Sequence, residues 1–299
     1  MNLVLVSNKV LITGIDSFTG MHLSSYLEKE GYRVYGTVLK EGDGLKTFTC
    51  NITCKQECID VISYVKPDYV IHLAGIAFVG HDDNEAFYNV NTLGTQNILD
   101  ALIKTDCKIR KIILASSATV YGDQRSEVLN ESMCPMPTNH YGMSKLVMEH
   151  LARNYFKKLP ILIVRPFNYT GIGQSEHFLV PKIVSHFKQK ALRIELGNLY
   201  VEREFNDVVF TCNVYARLLG SEVISEVVNL CSGTAISLMQ ILEIMHSLSG
   251  HTIDIEVNQI FVRDNEIKRL IGSTKKLENI IGKVEPIALI QTLSNMYES

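Results

Sequence analysis

The chain has no surplus of charge. Its 299 residues carry 29 lysines and arginines against 32 aspartates and glutamates, a net charge of −3. Tracking a nucleic-acid backbone needs a basic excess, so composition supplies no footprint for nucleic acid. Long apolar runs are missing too. The longest are strand-sized, well short of the ~20 residues of a membrane helix. The opening MNLVLVSNKVLITG has no basic leading segment and no small-residue cleavage site, and it reads as strand rather than signal peptide. No CxxC pair occurs. Seven cysteines (50, 54, 58, 107, 134, 212 and 231) are an odd, scattered set that fits reduced thiols in the cytoplasm. Cys50, Cys54 and Cys58 recur every four residues, yet no histidine accompanies them, so small buried thiols are a better account than zinc. What is present is ordinary globular chemistry, 46% apolar and 20% charged, in a chain long enough for one large domain or two smaller ones.

Through the first half, short β-branched runs alternate with helical patterns. KVLITG (9–14), YRVYGTV (32–38), YVIHLAG (69–75), KIILASSA (111–118) and PILIVRP (160–166) predict strands. Residues 21–31, 58–68, 89–105 and 141–158 predict helices, the first closed by Gly31 and the second by a proline. This alternation implies an α/β fold with a parallel, doubly wound sheet and right-handed crossovers. Ligands in such sheets sit beyond the carboxyl ends of the strands. Gly14, His72 to Gly75 and Ser116 to Thr119 all fall there. After Pro166 the rhythm changes to a glycine-bearing loop and shorter elements, including 226–233 and 237–250. With no linker between the halves, we expect one domain over 1–166, to which later segments return, and a smaller α/β domain drawn mainly from 167–299, with a cleft between them.

TGIDSFTG (13–20) joins the first strand to the first helix. Gly14 permits a tight turn, Gly20 a close helix approach, and the helix start offers N–H groups to a pyrophosphate. The spacing is GxxSxxG rather than GxGxxG, so its place in a βαβ unit supports it more than the motif does. After the second strand, GTVLKEGDG (36–44) lacks the acidic residue that would take the ribose hydroxyls of NAD. Thr37 stands near that place and Lys40 follows, which favours NADP(H) while leaving NAD(H) open. In YGMSK (141–145), a helix puts Tyr141 and Lys145 on one face, where an ammonium lowers a phenol's pKa from ~10.

Taken in order, TGIDSFTG, HLAG (72–75), NVNTLGT (89–95), SSATVYG (116–122), YGMSK, RPFN (165–168) and REFNDV (203–208) resemble the extended short-chain dehydrogenase/reductases that act on nucleotide sugars, over nearly the whole chain. The resemblance implies a Rossmann domain for the dinucleotide, a small C-terminal domain for the sugar nucleotide, and a homodimer through the helices at 89–105 and 141–158. It makes Tyr141 the general acid/base, Lys145 the holder of the nicotinamide ribose, and Ser117 the partner of the sugar's reacting oxygen. It places Gly14, Ser17, Phe18, Gly20, Lys40, Asn51, Ile52, Leu73, Ala74, Gly75 and Asn91 against the cofactor. Ser17 replaces the family's middle loop glycine, and Asn51 replaces an aspartate that meets adenine. Thr119, Asn168, Phe178, Arg203 and Arg263 become substrate contacts, the arginines suiting a diphosphate. His81 is a further candidate there. His72 reads as a packed strand-end residue, and His140 lies off the Tyr141 face.

Dehydratases of this family carry a carboxylate just after the catalytic Ser/Thr. Here Ala118 and Thr119 follow Ser117, which argues against dehydration. SSATVYGDQ is similar to UDP-galactose 4-epimerases. The second half, through 167–184, 197–208 and 263–277, is similar to GDP-6-deoxy-4-keto-hexose reductases. The expectation is an NADPH-dependent 4-ketoreductase of deoxysugar biosynthesis. An epimerase with bound NAD is the second reading, and a non-catalytic NAD(P) sensor the third. Sequence leaves the nucleotide and the stereochemistry at C4 open.

Overall fold

Seven parallel strands make the central sheet. The computed structural model describes residues 8–78, 80, 82–124, 126, 128–259 and 268–299. The strands are β1 (Lys9–Thr13), β2 (Arg33–Val38), β3 (Thr47–Thr49), β4 (Tyr69–His72), β5 (Lys111–Ala115), β6 (Ile161–Pro166) and an edge strand Glu226–Leu230, in the order Glu226–Leu230, β6, β5, β4, β1, β2, β3. Every neighbouring pair is parallel. The central strands are apolar at successive positions because both faces are covered. Leu11, Val70, Ile112 and Ile161 point to one face, where α2 (Lys55–Val65), α4 (Thr95–Lys104) and α5 (His140–Arg153) pack. Val10, Ile12, Ile113 and Leu162 point to the other, under α1 (Phe18–Lys29), α7 (Val208–Gly220) and α9 (Lys275–Ile281). This is the doubly wound, Rossmann-type sheet.

Several boundaries differ from the periodicity for local reasons. Helix α1 begins at Phe18, not 21, because Ser17 takes extended backbone and accepts a bond from Gly20 N. It ends as expected beside Gly31, whose φ is +87°. Before α4 the chain makes a π-helical turn, Asn89–Gly94, and α5 stops at Arg153 rather than 158. Strand β3 and a short helix α3 (Asn84–Tyr88) carry too few apolar residues to be read from pattern.

A second core lies among α6 (Leu179–Lys188), α8 (Leu238–Ser249) and α10 (Leu289–Glu298), with the parallel pair Arg193–Leu196 and Asp254–Val257. Two buried carboxylates tie it to the sheet. Glu204 accepts from Gly272 N (2.7 Å), Ser232 N (2.7 Å) and Asn206 Nδ2 (3.1 Å). Asp207 caps α7 through Val209 N (2.6 Å) and accepts from Thr292 Oγ1 of α10 (2.7 Å). Among the described residues, no helix is long and apolar enough to cross a membrane.

Candidate functional site

The strand ends of β1, β4 and β5 build a cradle around the start of α1. Gly14 has φ +67°, and a side chain there would press on the Ala74 backbone at 3.1 Å. At Gly20 a Cβ would sit 2.4 Å from Gly14 O and 2.6 Å from Ile15 O, so only glycine lets the helix start this close to the loop. Thr37, at the end of β2, is spent on this loop. Its hydroxyl accepts from Gly14 N (3.3 Å) and its carbonyl from Ile15 N (3.1 Å). The first-turn N–H groups of α1 and the exposed backbone of Gly75, where a Cβ would lie 2.7 Å from Asn91 Oδ1, are the groups a pyrophosphate and a flat ring would meet. Lys40 is exposed just beyond β2.

A buried chain of hydrogen bonds holds the β4 end. Thr95 Oγ1 donates to Asn91 O (2.7 Å), so it accepts from His72 Nε2 (2.9 Å). His72 Nδ1 then accepts from Thr13 Oγ1 (2.7 Å), which in turn accepts from Leu73 N and Ala74 N (3.2 and 3.1 Å). The bonding assigns the Nε2–H tautomer. Burial, with Lys145 nearby, pushes the His72 pKa down to about 3, so the ring is neutral. His72 is a strut that fixes the 73–75 turn. Asn91, presented by the π-helical turn, bonds Ile76 on both sides (N to Oδ1 2.8 Å, Nδ2 to O 3.1 Å) and reaches Ser144 Oγ (3.0 Å). Its amide therefore shapes the wall beside Gly75. Ile52 is buried under Gly94, and Asn51 Oδ1 closes a turn on Thr53.

Tyr141, Ser117 and Lys145 meet at the β5 end. Asn139 caps α5 by accepting from Gly142 N (2.8 Å). Burial raises the Tyr141 phenol, and its hydrogen bond with Ser117 opposes the rise. Ser117 in turn pairs with the Thr119 hydroxyl and accepts from Thr119 N (3.2 Å). Lys145 Nζ donates to Ala115 O (2.7 Å) and lies 3.5 Å from where a Gly75 Cβ would be. Desolvation lowers its pKa to about 8, and Glu149 resists. The sequence-based expectation that Lys145 lowers the phenol is corrected here. The amine faces the strand carbonyl and the cradle, and burial dominates at Tyr141.

Of the expected substrate contacts, Asn168 is exposed, and its carbonyl accepts from Asn206 N (2.9 Å). Arg203 is half-buried, in the short strand Glu202–Arg203. Phe178 caps the approach to α6, and its ring stands 6.3 Å from Phe78, across from the β4 loop. His81 and Arg263 lie outside the described residues. Sequence reasoning missed Glu149 and Arg165. Glu149 accepts from Ser116 Oγ (2.6 Å) and from Arg165 Nε and Nη2 (2.8 and 2.6 Å), all buried. The residues carried a signal, since Glu149 falls one helical turn after Lys145 and Arg165 begins RPFN. Spacing alone did not connect them.

The family model described as GDP-mannose 4,6 dehydratase matches residues 11–296. The chain is 36% identical to a GDP-6-deoxy-D-talose 4-dehydrogenase of Aggregatibacter actinomycetemcomitans, covering 97% of both chains. It is 29% identical to a GDP-6-deoxy-D-mannose reductase of Pseudomonas aeruginosa, covering 96% of this chain and 95% of the relative. A structure from Pseudomonas aeruginosa complexed with NADPH matches at a TM-score of 0.85 and 27% identity, over 98% of this chain and 97% of that one.

Proposed function

The chain belongs to the GDP-mannose 4,6 dehydratase-like family of extended short-chain dehydrogenase/reductases, and from that premise we propose that it reduces the C4 ketone of a GDP-linked 4-keto-6-deoxyhexose with NADPH. One observation carries the reading: the Tyr141 phenol hydrogen-bonds Ser117 at the β5 end, both residues half-buried, and Lys145 Nζ lies 3.5 Å from where a Gly75 Cβ would be. One relative is named for oxidation at C4 of GDP-6-deoxy-D-talose and the other as a reductase for GDP-6-deoxy-D-mannose. Those hexoses are C4 epimers, so the names support the GDP-6-deoxyhexose class and leave the face of attack to experiment. The solved NADPH complex, together with Lys40 and the absent carboxylate after β2, supports NADPH. Ala118 and Thr119 stand where the family's dehydratases carry a carboxylate, which argues against dehydration.

NADPH, when bound, supplies the hydride. The first turn of α1 and the Gly14–Gly20 loop hold its diphosphate, and Leu73, Ala74 and Gly75 give it an uncluttered wall. Lys145 anchors its ribose. A raised phenol pKa keeps Tyr141 protonated at neutral pH, the form needed to donate to the oxygen at C4. Ser117 orients the phenol and hydrogen-bonds the same oxygen as charge develops. Arg203, Asn168, Thr119 and Phe178 are the candidate sugar-nucleotide contacts. Exposed Leu93, Met143 and Val147 on the α4–α5 side favour a homodimer through those helices.

The test is incubation with NADPH and the 4-keto-6-deoxy sugars of GDP, dTDP, CDP and UDP, reading loss of reduced-nicotinamide absorbance. Consumption with the GDP sugar is expected, and its 6-deoxyhexose product settles the C4 configuration. No consumption, with interconversion of UDP-glucose and UDP-galactose, overturns the assignment in favour of an epimerase.

A further inference from the structure

The segment after β6 touches both ligand sides of the cleft, and a single residue makes the junction. The backbone of Tyr169 belongs to the sugar-nucleotide side. Tyr169–Thr170 pairs in parallel with Asn206–Asp207, the preceding Asn168 carbonyl accepts from Asn206 N, and Tyr169 O accepts from Gln174 Nε2 (3.3 Å). Its side chain points the other way, into the phosphate loop. Tyr169 OH and Thr19 Oγ1 share a hydrogen bond of 2.6 Å, and the ring lies parallel to that of Phe18, centroids 6.1 Å apart. Phe18 and Thr19 are the first two residues of α1, whose N–H groups face the proposed diphosphate site.

Neighbouring contacts keep this junction from slipping. His22 Nε2 donates to Ile172 O at 2.8 Å. A side chain at Gly171 would strike Val208 at 2.6 Å and only touch Phe18 at 3.6 Å. Burial holds the Tyr169 phenol protonated, up to about 12, with Tyr141 among the groups it feels. A hydroxyl pair in this setting stays neutral and directional across the working pH range. Tyr169, His22 and Gly171 have no part in the proposed reaction, while Phe18 and Thr19 belong to the turn that holds the diphosphate.

We propose that Tyr169 is a positioning residue that couples the two ligand sites, setting the cofactor's phosphate loop against the segment carrying Asn168 and the Arg203 strand through its bond to Thr19. The inference rests on the functional reading above. Ordering of one side by its ligand restrains the other, so each ligand tightens the other by the same factor. A neutral hydrogen bond in this position accounts for roughly 2- to 10-fold of coupling.

The experiment measures NADPH affinity by nicotinamide fluorescence, with and without saturating GDP as the probe of the sugar-nucleotide side, in the wild-type chain, Tyr169→Phe and Thr19→Val. Tyr169→Phe keeps the ring against Phe18 and removes only the hydroxyl, and Thr19→Val removes the same bond from the other end. GDP is expected to tighten NADPH binding in the wild type. That ratio should fall toward one in either variant, and the double variant should lose no more than each single one. Thermal midpoints within a few degrees of wild type separate coupling from general destabilisation. NADPH binding with the same ratio in all three chains overturns the junction while leaving the functional reading standing. Failure of the wild-type chain to bind NADPH removes the functional reading and the junction with it.

Discussion

The buried ion pair under the site allows the sharpest prediction. Glu149 accepts three bonds, one from Ser116 and two from Arg165, in a setting where both charged side chains are all but sealed from solvent. The Arg165 guanidinium also lies 4.7 Å above the Tyr121 ring, and its Nη1 finds no partner among the described residues. Glu149→Gln keeps the volume and removes the charge, leaving a guanidinium buried without its counter-ion. Breaking one side of such a pair costs ~3–5 kcal/mol. With ~2.1 cal/mol/K of unfolding entropy per residue, the whole chain carries ~0.6 kcal/mol/K, so the midpoint should fall by ~5–8 °C. The second arm replaces both partners, Glu149→Leu with Arg165→Met, which removes the desolvation cost along with the attraction and should recover most of that loss. Thermal unfolding followed by circular dichroism reads both arms. A drop under ~1 kcal/mol for Glu149→Gln, the range of exposed pairs, would refute the reasoning, as would a double variant much worse than the single.

Three further outcomes follow from the site. Tyr141→Phe should lower kcat by ~10²–10⁴, the span for losing a general acid, with NADPH affinity nearly unchanged in equilibrium titration; unaltered turnover would remove the phenol from the reaction. Gly20→Ala forces a Cβ against two backbone oxygens at 2.4 and 2.6 Å. Overpacking of ~1–3 kcal/mol on the phosphate loop should weaken NADPH by ~10-fold or more, and wild-type affinity would show that the loop does not grip the cofactor. His72 makes stability depend on acid. The unfolded chain takes its proton near ~6.5, while the folded ring resists until about 3, so between those values the unfolded state holds more protons and stability falls as pH falls. The midpoint should decline more steeply from pH 6.5 to 4.5 in the wild type than in His72→Asn. Equal slopes would mean that the ring titrates freely.

What the sequence disclosed and what it hid divide along one physical line. Strands β1, β2, β4, β5 and β6 were legible because burial on both faces demands β-branched runs. The Gly14–Gly20 loop was legible because only glycine tolerates those approaches. In each case the constraint acts within a few residues. The π-helical turn was hidden, because Asn89–Gly94 reads as ordinary helix until Asn91 has to reach Ile76. So was the direction of the Tyr141 shift: four-residue spacing put a cation on the right face of α5, but spacing carries no information on burial, and burial dominates here. Ser116, Glu149 and Arg165 lie on three separate segments, and each segment also carries a candidate site residue. Ser116 precedes Ser117, Glu149 is four residues after Lys145, and Arg165 precedes Asn168 by three. A single buried carboxylate thus ties two strand ends to one helix and fixes the heights of the 116–117, 145–149 and 165–168 stretches relative to one another. Relative height among distant segments is the quantity a one-dimensional pattern cannot encode, and the site depends on it most.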